Sequence, residues 1–309
     1  MLHCLSLNPA LDKSASLPRF SFDSPNRLEL QRLELGGKGV NVAKMLRTLG
    51  AEVCLSGFDY AGKPVEKALA GSGVSLHLLP LNGELRVNLK IKETETGRTL
   101  EINERGCAVN EEELTGLGKA LFDLCRPGDF ISLSGSLPPG APRNTYAGLC
   151  GALKKKGCFV AVDCDGDVLW HALSAAPDLI KPNAQEFEAL TGVSAQSLPE
   201  AIAACKKLLQ KGVGAVCLSR GAEGALYCGK EGVFSCPAAP VAVKGVQGAG
   251  DSLLAGMLFA LSQNIHPGEA LRFASAVAGA SVMQPGTVLG KKEDVEKILS
   301  RMPESLRCF

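Results

Sequence analysis

The sequence predicts an α/β fold built on a mostly parallel central sheet, and two patterns carry this prediction. From residue 110 onward, short apolar runs alternate with segments of helix length, which is typical of βαβ units. Polar and glycine-rich motifs directly follow several of these runs, and parallel sheets bind ligands beyond the C-terminal ends of their strands. Earlier in the chain, segments that alternate apolar and polar residues interrupt the buried pattern. They predict a second, smaller sheet that stands off the main body.

The first half of the chain begins with a strand and a helix introduced by glycines. The apolar run Met1–Leu7 is too short for a signal sequence or a membrane span, so it is predicted as a strand. Gly36-Gly37-Lys38-Gly39 leads into a helix that ends at Gly50. Its inward-facing residues are Val42, Ala43, Leu46 and Leu49. Val53–Phe58 is predicted as a second core strand.

Three alternating segments predict the smaller sheet. Arg27–Leu35 alternates with a slip of one residue between Leu30 and Leu33, which is the pattern of a strand with a β-bulge. Val87–Lys92 and Arg98–Asn103 alternate without a slip and predict a hairpin.

The second half predicts alternating helices and strands. Helices are expected near residues 111–125, 143–156, 185–191 and 198–211. Strands are expected at Phe130–Leu133, Phe159–Asp163, Leu179–Lys181 and Ala215–Leu218. A further helix opens at Gly248-Ala249-Gly250-Asp251, because Leu254, Met257, Leu258 and Leu261 recur at the spacing of a buried helical stripe.

Composition excludes several classes of protein. The 309 residues carry a net charge of +1 with acids and bases mixed throughout, so no basic patch indicates a nucleic-acid partner. No segment predicts a membrane span. The 12 cysteines are scattered and form no Cys-x-x-Cys, which favours reduced, buried thiols and a cytoplasmic location. The four histidines stand far apart and show no zinc spacing.

The stretch Gly248–Asp251 is the strongest candidate for chemistry. The first N–H groups of a helix lack internal partners, and the helix dipole adds partial positive charge there, so such a terminus can hold a phosphate or a developing oxyanion. Asp251 lies in the same turn and could take a proton from a nucleophile docked against it. The alternative is an ordinary glycine-rich turn with a favourably placed aspartate.

The other motifs are weaker when each is taken alone. Gly36–Gly39 lacks the Ser or Thr and the earlier Gly of a Walker A loop. Asp163–Asp167 follows a strand but lacks the glycine of an EF-hand, so a solvated acidic turn is the simpler interpretation. Asn183 and Glu186 match a capping box, although the glutamate could still present its carboxylate to a metal. The dinucleotide fingerprint fails at Leu253, which disfavours a nicotinamide oxidoreductase.

Taken together and in this order, the motifs resemble the ribokinase-like carbohydrate kinases of the phosphofructokinase B family over essentially the whole chain. The segments that carry the resemblance are Gly36–Ala43, Ser134–Gly140, Lys181–Glu186 and Gly248–Ser252. Asn8–Asp12 and Gly83–Asn88 are similar to signatures of the sugar-phosphate branch, which contains 1-phosphofructokinases and tagatose-6-phosphate kinases.

The resemblance implies a three-layer α/β sandwich with a β-sheet lid. The sandwich would comprise residues 1–9, 36–84 and 106–309, and the lid residues 10–35 and 85–105. It also implies transfer of the γ-phosphoryl group of ATP, with Mg²⁺, to a sugar hydroxyl. A homodimer formed through the lid is expected too, since such a sheet would carry exposed edges.

The resemblance also implies roles for individual residues. Asp251 would be the general base. The anion hole would be formed by the N–H groups of Gly248, Ala249 and Gly250. Sugar hydroxyls would be bound by Asp12, Gly37 and Asn41. The phosphate already on the substrate would be held by Arg27, Lys38 and Arg86. The nucleotide site would be lined by Lys181, Asn183, Ser219, Gly221, Gly224 and Gln284. Mg²⁺ would be positioned, through water, by Asn183 and Glu186.

Some positions depart from the family pattern. Gly245 and Val246 replace an Asn or Asp followed by Thr, which weakens the expectation of a monovalent-cation loop. Arg220 replaces a common Leu and is expected to place a charge near the nucleotide. Asp165 stands where Ser is common.

The leading hypothesis is an ATP-dependent kinase that converts fructose 1-phosphate to fructose 1,6-bisphosphate. A first alternative keeps the chemistry and changes the substrate to tagatose 6-phosphate or fructose 6-phosphate. A second alternative is a catalytically silent relative that only binds a sugar phosphate, against which the intact Asp251 argues.

Overall fold

The computed structural model describes residues 1–284, 286, 288–303 and 307–308, which form two β-sheets with associated helices. The strands are β1 (Leu2–Ser6), β2 (Ala10–Leu17), β3 (Glu29–Gly36), β4 (Val53–Asp59), β5 (Ser75–Pro80), β6 (Arg86–Glu93), β7 (Thr99–Asn103), β8 (Phe130–Ser134), β9 (Phe159–Asp163), β10 (Leu179–Ile180), β11 (Ala215–Ser219), β12 (Ala225–Gly229), β13 (Gly232–Cys236) and β14 (Arg307–Cys308). The helices are α1 (Lys38–Thr48), α2 (Pro64–Leu69), α3 (Glu111–Leu124), α4 (Thr145–Lys155), α5 (Gly166–Ala172), α6 (Ala184–Thr191), α7 (Leu198–Gln210), α8 (Ala249–Ser262), α9 (Pro267–Val282) and α10 (Lys292–Leu299).

The larger sheet, called the body sheet here, confirms the predicted α/β fold. Its ten strands lie in the order β14-β13-β12-β11-β10-β9-β8-β1-β4-β5. All neighbours from β11 to β5 are parallel, whereas β12, β13 and β14 extend one edge in antiparallel fashion. The buried runs of the sequence are therefore mostly central parallel strands, which are covered on both faces.

The smaller sheet, called the lid sheet here, has four strands in the order β3-β2-β6-β7. The predicted bulge is confirmed, since the register between β2 and β3 shifts at Ser14/Ala15 and leaves Gln31 as the extra residue. The predicted hairpin is β6 and β7. We propose that the lid comprises residues 10–35 and 85–105, because these ranges contain the strands that pair with one another.

The two faces of the lid sheet differ in polarity. Residues paired across neighbouring strands project from the same face of a sheet. Lys13 pairs with Leu33 and Leu89, and Leu89 pairs with Ile102, so one face is largely apolar. The opposite face carries Asp12, Asn88 and Asn103, which are polar. The polar face borders the main cavity of the molecule.

Helix α8 is largely buried. Residues Asp251–Leu258 and Ala260 are all buried, in agreement with the predicted apolar stripe. The helix packs against α1 and α9. A Cβ at Gly256 would lie only 2.6 Å from the Cα of Ala274, so glycine is required for this close approach of α8 to α9.

Several elements differ from the sequence-based predictions. The strand β2, which begins directly after Pro9, was not predicted. The hairpin β12–β13 and the strand β5 were not predicted either. The solvated acidic turn predicted for Asp163–Asp167 is correct only in part, because Asp165 and Asp167 are exposed but Asp163 is buried and α5 begins at Gly166 with Asp165 as its N-cap.

The remaining composition-based expectations concern membranes and thiols. Within the described ranges, every helix is too short or too polar to cross a bilayer. The cysteine side chains that the structure describes are unpaired, and all except Cys107 are buried.

Candidate active site

A cavity of about 1230 Å³ lies between the body sheet and the polar face of the lid sheet. Its floor is formed by the C-terminal ends of the parallel strands, as expected for an open α/β sheet. The residues that these strand ends contribute are Ser6, Ser134, Asp165, Lys181, Asn183 and Ser219. The first turn of α8 closes one side. The predicted residues Asp12, Gly37, Lys38, Asn41, Arg86, Glu186, Gly221, Gly224 and Gly248–Asp251 also line this cavity.

The beginning of α8 has part of the geometry that is predicted for an anion site. Gly248 is the N-cap and has a φ of 72°, a left-handed conformation that favours glycine. The N–H of Ala249 donates to the carbonyl of Val246 at 3.4 Å, so this amide is already engaged. A Cβ at Gly250 would lie 3.2 Å from Nζ of Lys181, which places an ammonium group beside the helix terminus. Positive charge at this point therefore comes from both the helix dipole and Lys181.

Asp251 is buried at the cavity, with only 8% of its surface exposed. Nδ2 of Asn41 donates to its Oδ2 at 2.7 Å, which fixes the carboxylate and leaves Oδ1 without that contact. Burial and the nearby Asp163 raise the pKa of Asp251 to about 6, whereas the bond from Asn41 and the two lysines Lys181 and Lys38 oppose the rise. The group is therefore ionised near neutral pH and basic enough to accept a proton.

Asp163 joins two lysines beneath the cavity. Its side chain is fully buried, and its Oδ2 lies 3.1 Å from Nζ of Lys181, whose side chain is 4% exposed. Its Oδ1 lies 3.1 Å from Nζ of Lys38. Burial alone would lower the pKa of Lys181, but the carboxylate of Asp163 outweighs burial and raises it. Both lysines are therefore charged.

Lys38, which is predicted to bind the substrate phosphate, contacts three carboxylates in this structure. Besides Asp163, its Nζ contacts Oδ1 of Asp165 and lies 3.2 Å from Oε1 of Glu186. Burial lowers the pKa of Lys38, and the three carboxylates more than reverse that effect. Lys38 therefore faces these three carboxylates, and its predicted contact with the substrate phosphate stays a prediction.

The lid sheet contributes two polar residues to the cavity, Asn88 and Lys90, for which the sequence predicts no role. Asp12 Oδ1 accepts a bond from Nδ2 of Asn88 at 2.9 Å, and its Oδ2 lies 3.5 Å from Nζ of Lys90. A Cβ at Gly36 would lie 2.4 Å from Asp12 Oδ2, so this carboxylate packs directly against the backbone of Gly36. The alternation of residues 87–92 could have revealed Asn88 and Lys90 as one polar face.

Arg86 lines the cavity but also ties the lid to the body. Its Nη2 and Nε donate to the carbonyl of Asn8 at 3.0 and 3.2 Å. Its Nη1 donates to the carbonyl of Glu104 at 3.0 Å. Arg27 is exposed and lies outside the cavity lining, as does Gln284, so their predicted roles stay predictions.

The capping box predicted for Asn183 and Glu186 is confirmed. Oδ1 of Asn183 accepts from the N–H of Glu186 at 2.9 Å, and Oε2 of Glu186 accepts from the N–H of Asn183 at 2.8 Å. Only Oε1 of Glu186 remains for the cavity, where it meets Lys38. The expectation that Arg220 directs its charge toward the nucleotide is wrong, because its guanidinium donates to the carbonyls of Ala195 and Gln196.

Comparisons with known proteins show the family to which the chain belongs. The model of the "pfkB family carbohydrate kinase" matches residues 8–294. A 1-phosphofructokinase of Rhodobacter capsulatus is 34% identical, over 94% of this chain and 92% of the relative. The 1-phosphofructokinase of Haemophilus influenzae is 32% identical, over 96% of each chain.

Solved structures agree at the level of the fold. Phosphofructokinase-2 from Escherichia coli in complex with substrates and products has a TM-score of 0.91 and 28% identity, and covers 97% of this chain and 99% of its own. Ribokinase from Arabidopsis thaliana superposes with a TM-score of 0.78, 22% identity and coverage of 96% and 98%, which shows the fold alone. With the family model matching nearly its whole length, this chain belongs to the pfkB family of carbohydrate kinases.

Proposed function

We propose that the protein transfers the γ-phosphoryl group of ATP to the free primary hydroxyl of fructose 1-phosphate and so forms fructose 1,6-bisphosphate. The observation that carries the proposal is Asp251, a buried carboxylate with a pKa of about 6 at the start of a helix that borders the cavity. The relatives named 1-phosphofructokinase match this chain over nearly its full length, which supports this sugar phosphate over others.

In the proposed reaction, Asp251 accepts the proton of the attacking hydroxyl. Asn41 holds Oδ2, so Oδ1 is the oxygen that would receive the proton. The start of α8, with Lys181 beside Gly250, would stabilise negative charge on the phosphoryl group in flight. A positioned base contributes about 10²–10⁴-fold, and oriented charges in a water-poor site contribute on a similar scale.

The substrates would occupy the two ends of the cavity. The lid end offers Lys90 and Arg86 to the phosphate on the sugar, and Asp12 and Asn88 to its hydroxyls. The other end is lined by Ser219, Gly221 and Gly224, whose small side chains leave room for a nucleotide. Lys90 would be a further lysine for the sugar phosphate, because the ammonium group of Lys38 already contacts three carboxylates.

We propose that Glu186, together with Asn183, positions Mg²⁺ at the nucleotide end of the cavity, where the described residues form no group of three or more metal-ligating side chains. Glu186 directs Oε1 into the cavity, and a hard oxygen ligand of this type suits Mg²⁺, which keeps most of its waters. Asn183 would act through water, because its side chain already caps α6. When bound with the nucleotide, Mg²⁺ would supply positive charge to the phosphates. Lys38 would share these carboxylates with the ion.

The proposal is tested by measuring ADP release with fructose 1-phosphate, fructose 6-phosphate and tagatose 6-phosphate at matched concentrations of Mg-ATP. We expect kcat/KM for fructose 1-phosphate to exceed the other two values by at least about 10-fold, because one misplaced phosphate loses its charge-assisted bonds. A higher kcat/KM for fructose 6-phosphate or for tagatose 6-phosphate would identify that sugar as the substrate instead. Binding of all three sugars without ADP release would contradict a kinase altogether.

We further propose a homodimer formed through the apolar face of the lid sheet. Leu33, Leu100 and Ile102 are 57%, 42% and 53% exposed on that face. A largely apolar sheet face of this kind, which also carries Lys13, is stabilised when a second copy covers it. Escherichia coli phosphofructokinase-2 has a tetrameric inhibited form, so larger assemblies are known for a structural neighbour.

The dimer is tested by light scattering during size-exclusion chromatography. We expect the mass of two chains for the wild type and the mass of one chain for Ile102→Asp, because the charge would be buried without a partner. The matched control is Ile265→Asp, which changes an isoleucine that is 39% exposed on the body and should leave the dimer intact. A wild type that elutes as a monomer would refute the proposal.

A further inference from the structure

The wall at the nucleotide end of the cavity is built mainly from backbone. Its lining residues after β11 are Ser219, Gly221, Ala222 and Gly224, none of which has a long side chain. A ligand here would meet backbone atoms and one hydroxyl group. The position of this wall therefore depends on how the turn itself is held.

One side of the turn is fixed by the body sheet. The N–H of Ser219 donates to the carbonyl of Pro182 at 3.0 Å, and the N–H of Arg220 donates to the carbonyl of Gly224 at 2.8 Å. A Cβ at Gly224 would lie 2.1 Å from the carbonyl oxygen of Cys236, so only glycine allows this contact with the end of β13.

The other side of the turn is held by the side chain of Arg220. Its Nε donates to the carbonyl of Ala195 at 2.7 Å, and its Nη2 donates to the carbonyl of Gln196 at 2.9 Å. These carbonyls belong to the loop between α6 and α7, which does not line the cavity. A planar guanidinium group that donates to two successive carbonyls fixes both distance and orientation.

We propose that Arg220 is a positioning residue for nucleotide binding: it clamps the turn Ser219–Gly224 to the loop between α6 and α7 and so sets the backbone wall of the nucleotide site. It does not contact the nucleotide. The proposal rests on the proposed kinase function for the identity of the nucleotide. Its effect is confined to nucleotide affinity, because the clamp lies at the end of the cavity opposite the lid.

The test is titration calorimetry of ADP with excess Mg²⁺, together with steady-state kinetics, for Arg220→Ala and Arg220→Lys. We expect Arg220→Ala to raise the Kd for ADP and the KM for ATP by about 10-fold, with kcat and the KM for fructose 1-phosphate changed less than about threefold. Arg220→Lys keeps the charge but loses the planar fork, so an intermediate Kd is expected.

Arg272 provides a matched control. Its Nη2 donates to the carbonyls of Leu299 and Met302 at 2.8 and 3.3 Å, but it does not line the cavity. Arg272→Ala should lower thermal stability and leave the Kd for ADP unchanged.

Two results would overturn the clamp. One is an Arg220→Ala variant that is folded and binds ADP as tightly as the wild type does. The other is complete restoration by Arg220→Lys, which would indicate that charge alone matters. Since ADP binding requires no sugar, a wrong sugar assignment would leave this test intact and would show instead as absent turnover in the wild type.

Discussion

Replacement of Asp251 by Asn is expected to lower kcat by about 10³-fold, while the Kd for fructose 1-phosphate changes less than about threefold. The amide has the shape of the carboxylate and can still accept the bond from Nδ2 of Asn41, so binding geometry is retained. It cannot accept the proton of the hydroxyl group. Stopped-flow measurement of ADP formation and calorimetric titration of the sugar phosphate separate the two effects. A kcat within 10-fold of the wild type would show that another group is the base.

The same substitution is expected to stabilise the protein at pH 8. The pKa of Asp251 in the folded state is raised to about 6, above the value of an unfolded aspartate, so the folded state binds this proton more tightly. Asp251 therefore destabilises the fold increasingly as pH rises from about 4 to about 6, and fully above that range, by about 1–3 kcal/mol. Thermal melts should show a higher Tm for Asp251→Asn at pH 8, with the difference shrinking toward pH 4. An equal Tm at both pH values would contradict the raised pKa.

Replacement of Lys181 by Met is expected to have the largest effect on stability, a loss of about 3–5 kcal/mol in the free energy of unfolding. Its ammonium group is paired with the fully buried carboxylate of Asp163 at 3.1 Å. Removal of one partner leaves buried charge that is only partly compensated by Lys38, which lies 3.1 Å from the other oxygen. Urea unfolding at pH 7.5 measures the loss.

The double variant Lys181→Met with Asp163→Asn separates this cause from lost packing. Because the unpaired carboxylate is removed too, the double variant should be more stable than Lys181→Met alone. Lys63→Met is the matched control, since its pair with Glu66 is exposed and should leave unfolding unchanged. If the loss of unfolding free energy in the double variant equals the sum of the losses in the two single variants, Lys181 and Asp163 do not interact as described.

Local patterns predicted local features well. The slip between Leu30 and Leu33 identified the bulge at Gln31, because side-chain alternation reports directly on strand register. Asn183 and Glu186 identified their capping box, which involves residues only three apart. The buried stripe of α8 likewise follows from a short-range period.

The contacts missed by sequence reasoning are mostly long-range. Lys38 pairs with residues more than 120 positions away, so no pattern near Gly36–Gly39 could show that it faces Asp163 instead of the lid. The side chain of Arg220 turns away from the cavity because two carbonyls of another loop lie within its reach. β2 was missed because its residues, Ala10–Leu17, are mostly small or charged and do not alternate regularly between apolar and polar.

The most direct test of the central claim is the dependence of kcat/KM on pH for the wild type and for Asn41→Leu with fructose 1-phosphate. The wild type should lose activity below a pKa of about 6, as Asp251 becomes protonated. The phosphate of the substrate also titrates near pH 6 and contributes equally to both profiles. The informative quantity is therefore the difference in pH between the acidic limbs of the two proteins. The bond from Asn41 lowers the pKa of Asp251, so its removal should move the acidic limb to higher pH. Superimposable limbs in the two proteins would contradict Asp251 as the catalytic base.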